Sequence, residues 1–83
     1  MTVLNRMGMH TRPAAMLVQC ASSFRSEINI HKDDECASCR SILGLMMLSA
    51  GCGTKLKVTA EGSDSEEAMK AVVALFHDKF GEE

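Results

Sequence analysis

The sequence predicts an α+β domain, an open-faced β-sandwich in which a four-stranded antiparallel sheet is covered on one face by three helices, in the order β-α-β-β-α-β-α. Two segments alternate apolar and polar residues, as strands with one buried face do, and two others repeat apolar residues at helical spacing. Strands with a single apolar face belong in an antiparallel sheet that is wet on one side. A chain of 83 residues supports one core only. At this size folding buries roughly 60% of the surface that the unfolded chain exposes, so every element must contribute to the same core. Residues 1–83 therefore read as a single domain, with no linker, low-complexity tract or internal repeat.

Residues 1–5 (MTVLN) are a short strand candidate, and 6–8 (RMG) a loop. Ala14, Leu17, Val18, Ala21 and Phe24 keep helical spacing, which predicts a helix over 11–24 with one core face. Pro13 suits its first turn, where the N–H that proline lacks would have no intrahelical partner. In 26–31 (SEINIH), Ile28 and Ile30 share one face while Glu27, Asn29 and His31 share the other, a half-buried strand. KDDE at 32–35 supplies turn chemistry, and ECASC at 35–39 is a return strand assigned by its position more than its composition. SILGLMML at 41–48 is too dense in long unbranched residues for a strand. It reads as a short helix capped by Ser41 and closed by Gly51 and Gly53. Residues 54–61 (TKLKVTAE) turn Leu56, Val58 and Ala60 inward and Lys55, Lys57, Thr59 and Glu61 outward. Asp64 and Glu67 have capping-box spacing, and Ala68, Met69, Val72, Leu75, Phe76 and Phe80 form a helical stripe ending in Lys79 and Gly81.

The net charge is −2 with acidic and basic residues interspersed, so no basic stripe marks nucleic acid as a partner. No apolar run approaches the ~20 residues that span a bilayer. The start shows no charged segment followed by an apolar one, so membrane insertion is not expected and the chain reads as cytoplasmic. Cys36 and Cys39 have zinc-knuckle spacing, but no second ligand pair follows at the usual interval, and neither metal nor cofactor is expected. Cys20 and Cys52 read as small apolar fillers. A redox- or zinc-sensing module built on Cys36 and Cys39, with His31 and Cys52 recruited by the fold, is the alternative from another functional class. It leaves the start of the first helix unexplained.

That start, NRMGMHTRPAAM at 5–16, sets a histidine, an arginine and the chain's single proline within four positions. His10 falls at the N-cap, and Gly8 can bend the chain so that the imidazole stands clear. The first-turn N–H groups, the positive end of the helix dipole and Arg12 lie beside it. Both the dipole and the guanidinium disfavour imidazolium, so at neutral pH a ring nitrogen keeps its lone pair. If that nitrogen took a phosphoryl group, the same N–H groups and Arg12 would hold its oxygens. Pro13 stiffens the turn, and Thr11 completes it. Residue types alone leave an even alternative: a polar cap, a solvated charge and a helix starter.

GMHTRPAA at 8–15 resembles the active-site signature of the histidine-containing phosphocarrier (HPr) family of the bacterial phosphoenolpyruvate-dependent phosphotransferase system. The resemblance continues through SFRSEINI, RSILGLMML and EGSDSEEAM, and the family shares the element order derived above. It implies that His10 accepts phosphate from phospho-enzyme I on Nδ1 and passes it to an enzyme IIA domain for sugar uptake. It further implies that Arg12 assists and that Ser41 matches a serine phosphorylated by a dedicated kinase in many relatives, with Gly44 matching those relatives too. Such a protein is a carrier, not an enzyme. The C-terminal AVVALFHDKFGEE looks more like the nitrogen-related branch, whereas HTRPAA and RSILG look more like the sugar branch.

The 41–48 helix is apolar nearly all round, yet a domain this small cannot bury every face. With Leu45 and Leu48 inward, Ile42, Leu43 and Met46 fall on the opposite side as a candidate docking patch, which Met16 of the first helix would extend. Ser41 caps this helix, and Arg40 stands beside it as a possible partner for a serine phosphate. His77 reads as a solvated residue near the C-terminal end of the third helix.

Overall fold

Period-two alternation organises the sheet, as the computed structural model shows for residues 1–82, the residues it describes. Strand β1 (Glu27–Lys32) lies between β2 (Glu35–Ser38) and β3 (Lys57–Glu61), antiparallel to both. Ile28 pairs with Ala60 and Ile30 with both Ala37 and Val58. Both isoleucines are buried, whereas Lys57, Glu27 and Glu61 of the other face are exposed. The β1–β2 turn holds Asp33 at φ 53, a left-handed conformation that aspartate tolerates better than most side chains.

Helices α1 (Thr11–Ala21), α2 (Ile42–Met47) and α3 (Ser65–His77) pack over the apolar face. Leu17, Leu45, Val72 and Phe76 carry that packing and are fully buried. Burying a large apolar side chain contributes roughly 1.5–3 kcal/mol, so this core is the main stabilising feature. Asp64 stands at the N-cap position of α3, but its carboxylate makes no cap bond. It accepts instead from the Arg25 and Ser26 N–H groups, each at 2.9 Å, and from the Ser26 hydroxyl, tying the start of β1 to the start of α3. The Ser26 hydroxyl and the Arg25 N–H hold the Asp64 carboxyl below the usual carboxylate range. Lys32 donates to the Leu48 and Ser49 carbonyls at 2.9 and 3.3 Å, closing the C-terminal end of α2.

The sheet has three strands among the described residues, not four. Residues 1–3 run antiparallel to 53–56 around a bridge between Thr2 and Lys55, and Met1 N donates to Leu56 O at 2.7 Å while Leu56 N–H donates to Met1 O at 2.6 Å. Val3 N–H donates to Thr54 O at 2.9 Å and Gly53 N–H to Val3 O at 2.7 Å, but Asn5 then opens a turn closed by Gly8 N–H. That pairing ends at the turn and lies before β3, which begins at Lys57, so it does not add a fourth strand to the β2-β1-β3 sheet. Helix α1 stops at Ala21, short of Phe24, because Ser22 bonds its hydroxyl back to Gln19 O and the next N–H groups close tighter turns. Helix α3 stops at His77, and Phe80 enters the core from a separate 3₁₀ turn (Lys79–Gly81). Lys79 and Phe80 there adopt φ 56 and 55, and the Phe80 ring meets Phe76 edge to face at 5.0 Å. No described helix is long and apolar enough to cross a membrane.

Candidate functional site

The site is built from a loop that only glycine can close. Gly8 has φ +70, and a Cβ there would lie 2.6 Å from Ala50 O. Met9 N–H donates to the same carbonyl at 2.8 Å, which fastens the loop to the segment after α2. His10 follows as the N-cap of α1 in extended conformation, and its side chain makes no cap bond. The imidazole is thereby free to turn outward, with 30% of its side chain exposed. Pro13 is buried in the first turn, and Thr11 places its hydroxyl 3.7 Å from Met46 Sδ, across to α2.

Nε2 of His10 lies 2.7 Å from Oε2 of Glu82. A carboxylate accepts hydrogen bonds, so Nε2 carries the proton that it donates, and in the neutral imidazole Nδ1 is then the nitrogen with the lone pair. The other oxygen, Oε1, accepts from Asn5 Nδ2 at 2.8 Å, while the same amide donates to Gly8 O at 2.7 Å. Asn5 and His10 hold the Glu82 carboxyl below its usual range, Asn5 contributing most and Arg12 adding to it. Arg12 is exposed and lines a cleft of about 600 Å³ together with Arg6, Met7 and Glu82. Its guanidinium passes over Gly81. Two guanidinium groups thus line a cleft beside the carboxylate that holds His10, and guanidinium groups suit an anion.

Ser41 caps α2, its Oγ accepting from Gly44 N–H at 2.9 Å. Leu45 and Leu48 are buried, and Ile42, Leu43 and Met46 are 39%, 68% and 37% exposed. Met47 of the same helix is 69% exposed and enlarges this apolar surface beyond the residues the sequence singled out. Met16 stands elsewhere: it is half-buried and lines a groove with Gln19, Cys20, Ala71 and Leu75, between α1 and α3. Arg40 reaches back toward the Phe24 and Ser26 carbonyls, at 3.5 and 3.4 Å, not toward Ser41.

Cys36 is exposed and Cys39 fully buried, so the two do not share a face. Burial pushes the Cys39 thiol up to about 12. Cys39 is the apolar filler, whereas Cys52 is exposed. Among the described residues no three His, Cys, Asp or Glu side chains converge as metal ligands do.

Sequence reasoning missed Asn5, Arg6 and Glu82. Asn5 left one trace, as a polar residue closing an otherwise apolar strand candidate. Glu82 left none, being 72 positions from His10.

The family model described as "PTS HPr component phosphorylation site" matches residues 1–78. The phosphocarrier protein HPr of Treponema pallidum is 47% identical over 81 residues, covering 98% of this chain and 92% of that protein. The phosphocarrier protein NPr of Shewanella violacea is 40% identical over 81 residues, covering 98% and 89%. The crystal structure of HPr-C-His from Thermoanaerobacter tengcongensis superposes with a TM-score of 0.94 at 47% identity, covering 100% of this chain and 93% of that one.

Proposed function

The chain belongs to the HPr family of phosphocarrier proteins, and we propose that it carries the phosphoryl group on Nδ1 of His10. The observation that carries this reading is the Nε2–Glu82 hydrogen bond, which leaves Nδ1 as the nucleophile at the N-cap of α1, two residues before Arg12. The donor is phospho-enzyme I and the acceptors are enzyme IIA domains, so the chemistry is completed by active sites on partners and the chain itself is no enzyme. It works in the cytoplasm without metal or cofactor. Gly8, Thr11 and Pro13 hold the helix start, and Ile42, Leu43 and Met46, exposed on α2 and joined to α1 through Thr11, form the docking patch. Sugar uptake is the favoured output. The likeness to an NPr supports a nitrogen-branch output as the second reading, with the same chemistry at His10.

Ser41, exposed at the edge of that patch, is the regulatory position for a serine kinase and its phosphorylase. A phosphate there is compatible with the start of α2 but puts nearly two charges where an apolar surface must dock.

Incubated with enzyme I and phosphoenolpyruvate, the protein is expected to gain one acid-labile, base-stable phosphate, and His10→Ala none. Arg12→Ala is expected to slow transfer while holding thermal stability within about 1 kcal/mol, since an exposed charge contributes little to folding. A label that survives His10→Ala, or maps to His31 or His77, overturns the assignment.

A further inference from the structure

We propose that Glu82, held in place by Asn5, is a positioning residue for His10: it occupies Nε2, so that phosphorylation is confined to Nδ1, and it offsets the charge of the ring that results. This deepens the reading of His10 as the carrier and rests on it.

The two carboxylate oxygens are divided between two donors, His10 Nε2 at 2.7 Å on one and Asn5 Nδ2 at 2.8 Å on the other. Asn5 is completely buried, and its amide can face only one way. Turned over, it would set Oδ1 against the Gly8 carbonyl and the Glu82 carboxylate, three acceptors with no proton among them. In the orientation present, both contacts are satisfied and Oδ1 is left buried without a partner among the described residues. A buried acceptor left unpaired is unfavourable and calls for an explanation. Here it is that the amide's donors are needed to aim a carboxylate at the imidazole. The carboxylate side chain is only 14% exposed, so water does not readily replace it as the partner of Nε2.

The chemistry gives this bond a consequence. The Nδ1 lone pair forms the new N–P bond, and the donor's bond to phosphorus breaks with its electron pair leaving on the donor. Nε2 keeps its proton throughout, so the product is a phosphorylated imidazolium. Glu82 is the negative group against that cation, while Arg12 and Arg6 line the cleft that takes the phosphoryl oxygens. A carboxylate on Nε2 therefore favours the charged product and blocks the competing nitrogen, whereas a neutral or absent side chain does neither.

Potassium phosphoramidate, a small phosphoryl donor that needs no docking partner, separates this role from partner recognition. Intact protein, Glu82→Ala and Glu82→Gln are phosphorylated with it, the rate is followed, and the ring isomer is read by ¹⁵N NMR of labelled histidine. The intact protein is expected to give the Nδ1 isomer. Glu82→Ala is expected to react severalfold more slowly at Nδ1 and to yield the Nε2 isomer alongside. Glu82→Gln, which keeps an acceptor oxygen and loses the charge, is expected to restore much of the Nδ1 preference without the rate. An Nε2 product in the intact protein, or an unchanged isomer and rate in Glu82→Ala, overturns the proposal while leaving His10 as carrier. No phosphate on His10 of the intact protein overturns both readings.

Discussion

Replacing Gly8 with alanine tests how the loop that presents His10 is held, and Gly53→Ala is its internal control. Both glycines have positive φ, +70 and +91. An L residue in the left-handed region costs about 1–2 kcal/mol. At Gly53 nothing lies within 4 Å of the added Cβ, so that backbone cost stands alone. At Gly8 the Cβ meets Ala50 O at 2.6 Å and Gly51 Cα at 2.8 Å. Both are backbone atoms and cannot swing aside as a side chain would; forcing such an overlap costs about 1–3 kcal/mol more. The sum at Gly8 is about 2–5 kcal/mol, against a total of about 4–12 kcal/mol for a domain of this size. At roughly 4–8 °C per kcal/mol, thermal melts followed by circular dichroism are expected to drop at least about 8 °C for Gly8→Ala, and by about half as much for Gly53→Ala as for Gly8→Ala. Phosphoryl acceptance is expected to fall for Gly8→Ala alone, because Met9 N–H loses its seat on the same carbonyl. Equal losses at the two positions would refute the close approach as the reason for Gly8.

Two further outcomes can be checked with the same melts. Ser41→Ala removes the cap on Gly44 N–H and is expected to cost on the order of 1 kcal/mol while still accepting phosphate; Ser41→Asp is expected to melt near the parent yet accept phosphate from enzyme I severalfold more slowly, and an unchanged rate reduces Ser41 to a cap. The Asp64 carboxyl, lowered by the Ser26 hydroxyl and the Arg25 N–H, stabilises the fold fully above its unfolded value near ~3.9, and that contribution is lost as pH falls through the lower folded value. Melts taken between about pH 6 and pH 2 are expected to decline toward acid, and less steeply in Asp64→Asn; parallel curves would show that the Ser26–Asp64 tie carries no proton linkage.

Elements whose residues alternate or repeat on their own were legible before any tertiary contact was known. Ile28 and Ile30 set the face of β1, and Ser41 followed by a dense apolar run set α2, because these signals lie within a few residues. The misjudged boundaries are those decided by partners. Residues 1–5 carry strand-like side chains, but the Asn5 turn cuts their pairing with 53–56 to Met1–Val3, outside the three-stranded sheet. Phe80 continues the helical stripe by count, and burial against Phe76 is available without the helix, so periodicity extended α3 past its end. Asp64 has N-cap spacing, yet a better set of donors waits on the start of β1. At the site, the residues local to the helix start were readable from their types, whereas Asn5 and Glu82 acquire their meaning only by meeting across 77 positions.

That span also orders events in time. Joining residues so distant in sequence carries a loop-closure entropy that no neighbouring turn or helix offsets, so the contact becomes favourable only after the sheet and helices have drawn the segments together. The cradle around the imidazole is thus expected to form after the folding nucleus. Weakening it is expected to quicken unfolding while leaving the refolding rate nearly untouched. Selection can therefore retune the phosphoryl chemistry at residues 5 and 82 without slowing how the domain finds its shape.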